Sequence, residues 1–163
     1  MQTMQTYTRL MAAQFANRKL EEHGLRKKNW RFRINSNKRR LGVCRYRQRT
    51  IEISEHIFSL GKEKVENTIL HEIAHAMLPA GVGHGPEWKR LARSIGCDGK
   101  TRSEVSMDVP HDWIGTCTEC GRTVSKMHRK PKHWNPSLHT KEYARSPYRS
   151  RCCRADVRYE YTR

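Results

Sequence analysis

The sequence predicts an α+β fold: an N-terminal helix, a small antiparallel sheet, two further helices, and a cysteine-bearing appendix. Three observations point there. Apolar residues recur at helical spacing in residues 3–23 and 62–78. Residues 29–35, 41–46 and 50–54 instead alternate apolar and polar. Four of the six cysteines fall in residues 117–163, two of them at knuckle spacing, which points to metal rather than to disulfide.

The first helix is expected over residues 3–23. Tyr7, Leu10, Met11 and Leu20 lie near one stripe, and Gly24 stands where a C-terminal cap belongs. In residues 29–35, Trp30, Phe32 and Ile34 point to one side and Arg31 and Arg33 to the other, as in a half-buried strand. Leu41 and Val43, then Ile51 and Ile53, repeat the pattern. A hairpin turn at Arg47-Gln48-Arg49 is expected between them, although it lacks the usual Gly or Asn. After Gly61 a helix runs from about Lys62 to Leu78, with Val65, Ile69, Ile73 and Ala76/Met77 as its buried stripe. Pro79-Ala80-Gly81-Val82-Gly83 breaks it. Pro86 suits the first turn of a last helix, whose buried face is Trp88, Leu91, Ala92 and Ile95 and whose end is Gly96.

The chain has 163 residues, of which 36% are hydrophobic, enough for one modest core and a small appendix. No run approaches the roughly 18 apolar residues of a membrane span, and no secretory signal pattern is present. The expectation is an intracellular protein of the cytoplasm, nucleoid or nucleus, not secreted and without a membrane partner. A transit peptide in the acid-free residues 1–20 is the alternative.

Net charge is +17, and it is uneven. Residues 17–50 hold 13 basic and 2 acidic residues, residues 51–100 hold 6 and 7, and residues 117–163 hold 12 and 4. Two basic blocks flank a neutral middle. Such blocks release counterions from a polyphosphate, so nucleic acid is the expected partner. Arg31, Arg33, Lys38, Arg39, Arg40, Arg45, Arg47, Arg49, Arg149 and Arg151 are the candidate contacts.

The neutral middle carries His71-Glu72-Ile73-Ala74-His75. Four residues apart on a helix is about 40° around its axis, so both imidazoles can reach one metal ion. Glu72 lies on the flank of that face, within reach of a water on the metal. Zinc brings the pKa of bound water toward ~7, where a carboxylate can take its proton. His84, between Gly83 and Gly85, is a candidate third ligand that a flexible backbone can return over the helix. Three protein ligands and one open position define a catalytic zinc site.

His71-Glu72-Ile73-Ala74-His75-Ala76 followed by Gly83-His84-Gly85-Pro86-Glu87-Trp88 resembles the SprT-like metalloprotease family, which includes the Spartan proteases of DNA–protein crosslinks. The match is close over residues 60–97 and weaker across a following zinc ribbon. The resemblance implies a zincin-like metalloprotease fold, with His71, His75 and His84 as zinc ligands and Glu72 as general base. It also implies proteolysis of proteins bound or crosslinked to DNA, with DNA as the activating partner.

Cys117-Thr118-Glu119-Cys120-Gly121 has the spacing of one zinc knuckle. The family pattern supplies a second C-x2-C, whereas here the adjacent pair Cys152-Cys153 follows. Adjacent cysteines chelate one ion less readily. The second half of a structural site is therefore either this pair or one of the two with a histidine, His139 being preferred over His133 and His128. Cys44 and Cys97 are expected to be small buried residues. The aromatic rings among the C-terminal basic residues are expected either to form a small core or to stack on unpaired bases.

The expected organisation is a metalloprotease domain at 1–100, a linker at 101–116 and a basic zinc-ribbon-like domain at 117–163. The expected cofactors are one catalytic and one structural zinc. The expected activity is zinc-dependent endopeptidase action on DNA-associated proteins. The alternatives are a non-catalytic DNA-binding zinc protein on the same scaffold and a zinc hydrolase acting on a non-protein bond.

Overall fold

The structure, a computed structural model, describes residues 7–101, 109–131, 144–145 and 149–162. Two compact units divide between Asp108 and Val109, inside the stretch expected to be a linker.

In the first unit, α1 (Arg9–Glu22) is capped by the Thr8 hydroxyl, which accepts from the Met11 N–H. The helix ends as a Schellman turn. Leu25 N donates to Leu20 O at 2.8 Å and Gly24 N to Glu21 O at 2.9 Å, while Gly24 takes φ +67°. The buried stripe differs from the expected one. It is Ala12, Ala16 and Leu20, with Tyr7 just before the helix, and Leu10 is 66% exposed. Small alanines at i and i+4, followed by Leu20 at i+8, let α1 pack closely, so they outweigh the larger but misphased Leu10.

The strands are β1 (Arg31–Asn35), β2 (Gly42–Arg45) and β3 (Thr50–Ser54), in the order β1-β3-β2. The expected antiparallel sheet is corrected here. β2 pairs with β3 antiparallel, but β1 pairs with β3 parallel, so the sheet is mixed. Burial puts β3 in the centre, and β1, running opposite to β2, meets the other edge of β3 and so lies parallel to it. Ile51 and Ile53 are fully buried and claim the centre for β3, while β1 and β2 expose Arg31, Arg33 and Arg45 at the edges. The hairpin turn forms despite its composition because Arg49 adopts φ +45°.

The next helix, α2 (Lys62–Met77), lies between two apolar layers. Val65, Ile69, Ile73 and Ala76 meet Ile51, Ile53, Ile57, Leu20 and Trp30 on one side. Leu70 and Ala74 meet Trp88, Ala92 and Cys97 on the other. Trp88 and Ala92 belong to α3 (Pro86–Ser94), which ends in a second Schellman turn at Gly96. The Tyr7 hydroxyl donates to Glu66 Oε1 at 3.1 Å, tying the start of α1 to α2.

The second unit is an antiparallel sheet in the order β5-β4-β7-β6, built from β4 (Trp113–Cys117), β5 (Thr123–Met127), β6 (Ala144–Arg145) and β7 (Val157–Tyr161). β4 thus occupies the end of the stretch read as a linker. At its centre Gly115 lies under Tyr159; a Cβ there would sit 2.6 Å from the ring. No helix among the described residues is long and apolar enough to cross a membrane.

Candidate metal centre

Among the described residues, two side-chain clusters could hold a metal ion, one in each unit. The first is built on α2. His71 and His75 project from successive turns between the two apolar layers. Pro79 to Gly85 then reverse the chain through left-handed Gly81 (φ +96°) and Gly83 (φ +65°), and His84 returns over the helix. Its Nε2 lies 2.9 Å from His71 Nε2 and 3.0 Å from His75 Nε2. Nitrogens on a tetrahedral zinc stand about 3.3 Å apart, so both of these separations fall within a few tenths of an ångström of that spacing. Burial lowers the pKa of His71 and His75 to about 4 and lowers that of His84. All three are therefore neutral at pH 7, the form that offers a lone pair to a metal.

Trp88 forms the floor of this cluster. Its ring lies 4.6 Å from His71, 5.2 Å from His75 and 4.6 Å from His84 between centroids, and it is completely buried. Its Nε1–H has no hydrogen-bond partner among the described residues. Sequence reading assigned this ring only to helix packing. Its contact with all three imidazoles depends on how the loop folds back, which no periodicity shows.

Glu72 is 7% exposed and turns toward β2. Burial raises its pKa to about 8, opposed by a hydrogen bond from the Cys44 backbone N–H. The close approach needs Gly42. A Cβ there would lie 2.6 Å from Glu72 Oε1, 2.9 Å from Glu72 Cγ and 2.9 Å from Thr68 Cγ2. Sequence reading missed Gly42, and a glycine within an alternating strand was its one signal. Tyr46 completes the surround, its hydroxyl donating to the His75 carbonyl at 3.0 Å. Cys44 is half-buried beside Glu72, and its thiol is pushed up to about 12 by burial.

The second cluster is Cys117, Cys120, Cys152 and Cys153, whose sulfurs lie within 4.8 Å of one another. Cys120 Sγ is 3.5 Å from Cys152 Sγ, against about 3.8 Å between sulfurs on a tetrahedral zinc. Both adjacent cysteines reach the cluster. His139 and His133 lie outside the described residues, and His128 instead stacks on His111 at 4.3 Å. Cys117 is buried, and hydrogen bonds from the Ser150 hydroxyl and the backbone at Cys120 lower its pKa to about 6. Cys153 moves the opposite way, through its hydrogen bond with Cys120.

The candidate nucleic-acid contacts fall in both units. Arg31, Arg33, Arg39, Arg40, Arg45, Arg47 and Arg49 are exposed and Lys38 is half-buried. Arg31 and Arg45 flank Thr50 in the sheet register, and Arg33 and Val43 flank Glu52. Glu52 pairs with Arg45 at 3.0 Å, and the Arg49 guanidinium donates to the Lys28 carbonyl. Arg149 pairs with Asp156 at 2.7 Å, and Arg151 is exposed.

An α+β unit holding three converged imidazoles beside a buried glutamate has the make-up of a metallopeptidase-like protein. The chain belongs to the SprT-like family, whose model matches residues 5–111. No curated protein and no solved structure gives a significant match.

Proposed function

We propose that the protein is a zinc-dependent endopeptidase that acts on DNA-associated proteins and binds DNA through its flanking basic segments. The observation that carries the catalytic part is the convergence of His71, His75 and His84 beside buried Glu72. The three neutral imidazoles fit zinc in donor type and spacing, and they leave a fourth position open. Bound there, zinc would polarise a scissile carbonyl and acidify a water. Glu72 takes a proton from the attacking water and passes it to the leaving amide nitrogen. Its raised pKa suits a group that must both accept and release a proton near neutrality. The Cys44 N–H and side-chain-free Gly42 hold that carboxylate in place.

The DNA part rests on charge. The first unit supplies a cluster of exposed arginines on and around its sheet. In the second, Arg122, Arg149, Arg151 and Tyr159, together with Cys152 of the cluster, are among the residues that line a cavity of about 420 Å³. Such a lining suits polyanion binding. The four-cysteine cluster is read as a structural zinc site that holds this small sheet together.

The test is proteolysis of a basic DNA-binding protein by purified full chain, with and without DNA. Cleavage is expected only with DNA, and is expected to be lost in Glu72→Gln while zinc stays bound. DNA-bound zinc protein that cleaves nothing would instead favour the non-catalytic scaffold.

A further inference from the structure

We propose that the second half of the cysteine site is a displaced zinc knuckle: Ser150 stands where its first thiol belongs, and Cys152 supplies the missing sulfur. This rests on reading the cluster as a zinc site.

Two loops of the second unit close alike. In the first, Cys117 N donates to Arg122 O at 2.9 Å and Gly121 N to Cys117 O at 3.0 Å. In the second, Ser150 N donates to Ala155 O at 2.8 Å and Arg154 N to Ser150 O at 3.0 Å. The fifth position of each loop is left-handed, Gly121 at φ +69° and Arg154 at φ +54°. The correspondence is therefore Cys117 with Ser150, Cys120 with Cys153, Gly121 with Arg154, and Arg122 with Ala155. Burial agrees: Cys117 and Ser150 are both buried, and Cys120 and Cys153 are both exposed.

The register shows why two adjacent cysteines reach one site. Cys153 holds the ordinary second position of a knuckle. The ordinary first position carries a hydroxyl, a poor zinc ligand beside thiolates. Cys152 stands one residue before Cys153, at a position where the first knuckle has Glu119, and its sulfur joins the cluster from there. Ser150 keeps a different task. Its oxygen accepts the Ala155 N–H at 3.1 Å, which leaves its own proton for Cys117 Sγ at 3.2 Å. It is a positioning residue for that thiolate.

The test uses the full chain, with zinc per chain measured by elemental analysis and thiolate number by the cobalt charge-transfer band. Wild type is expected to hold two ions, and Cys120→Ala one. Cys152→Ala is expected to drop to one ion. Ser150→Cys added to Cys152→Ala is expected to restore the second ion and the full band, because it rebuilds the C-x2-C spacing. Ser150→Ala is expected to keep the ion but bind it about 10–100-fold more weakly. Two outcomes overturn the proposal: Cys152→Ala keeping its second ion, or the double variant doing no better than Cys152→Ala. If Cys152→Ala does not fold, recovery of folding in the double variant is the supporting result, and failure to recover overturns it. A wild type whose zinc content is unchanged by Cys120→Ala would instead refute the zinc reading of the cluster.

Discussion

At the scale of single residues, Glu72 is set by a neighbour with no side chain. Gly42→Ala would drive a Cβ into the Glu72 carboxylate and into Thr68. The expected result is a fall in peptide cleavage of about 100-fold, since displacement of a catalytic group by ~1 Å costs about that much. Zinc content should be unchanged, which separates this from loss of the metal site. Trp88 acts on the imidazoles instead. Trp88→Leu removes the ring beneath all three, and zinc affinity is expected to drop about 10–100-fold, as for other groups that orient ligands. Chelator competition checks it, with Cys97→Ala as a control in the same apolar layer. Glu72 also has a pH signature in chelator-treated protein. Its folded pKa is raised, so its contribution to stability is fully present below the unfolded value of 4.5 and is lost as pH rises through about 8. His71 and His75 have lowered folded values, so their contribution is present above 6.5 and lost as pH falls toward 4. In urea titrations of the metal-free protein, Glu72→Gln is expected to gain stability over wild type at pH 9 relative to pH 5, by about 2–4 kcal/mol. An equal difference at both pH values would contradict the buried carboxylate.

At the scale of elements, α2 was legible because its stripe and its histidines follow one period. Val65, Ile69 and Ile73 fixed which face is buried, and that fixed where His71 and His75 point. The Schellman ends at Gly24 and Gly96 were legible for the same local reason. The sheet was not. Period-2 alternation identifies strands but says nothing of their neighbours, and the burial of Ile51 and Ile53 put β3 in the centre, where β1, running opposite to β2, meets it in parallel. α1 was misphased because two alanines carry its packing and add little to an apolar stripe. The knuckle at Ser150 was hidden because it is written in backbone hydrogen bonds, not in cysteine spacing.

At the scale of the whole molecule, the charge surplus separates from the chemistry. The stretch from residue 51 to 100, which holds the imidazoles and Glu72, has one more acid than base, while residues 17–50 and 117–163 hold the excess. If the arginines of those segments grip phosphate, DNA affinity should fall steeply with salt. Removing Arg31 and Arg33 together should reduce the slope of log affinity against log salt by about 2, with little sequence dependence. Fluorescence anisotropy on a labelled oligonucleotide at several salt concentrations checks this. The most direct test of the central claim is the comparison of wild type and Glu72→Gln on a basic DNA-binding substrate in the presence of DNA, with zinc content measured in the same samples. The expected result is DNA-dependent cleavage by wild type and none by the variant, at equal zinc content. Equal cleavage by both would contradict the role given to Glu72.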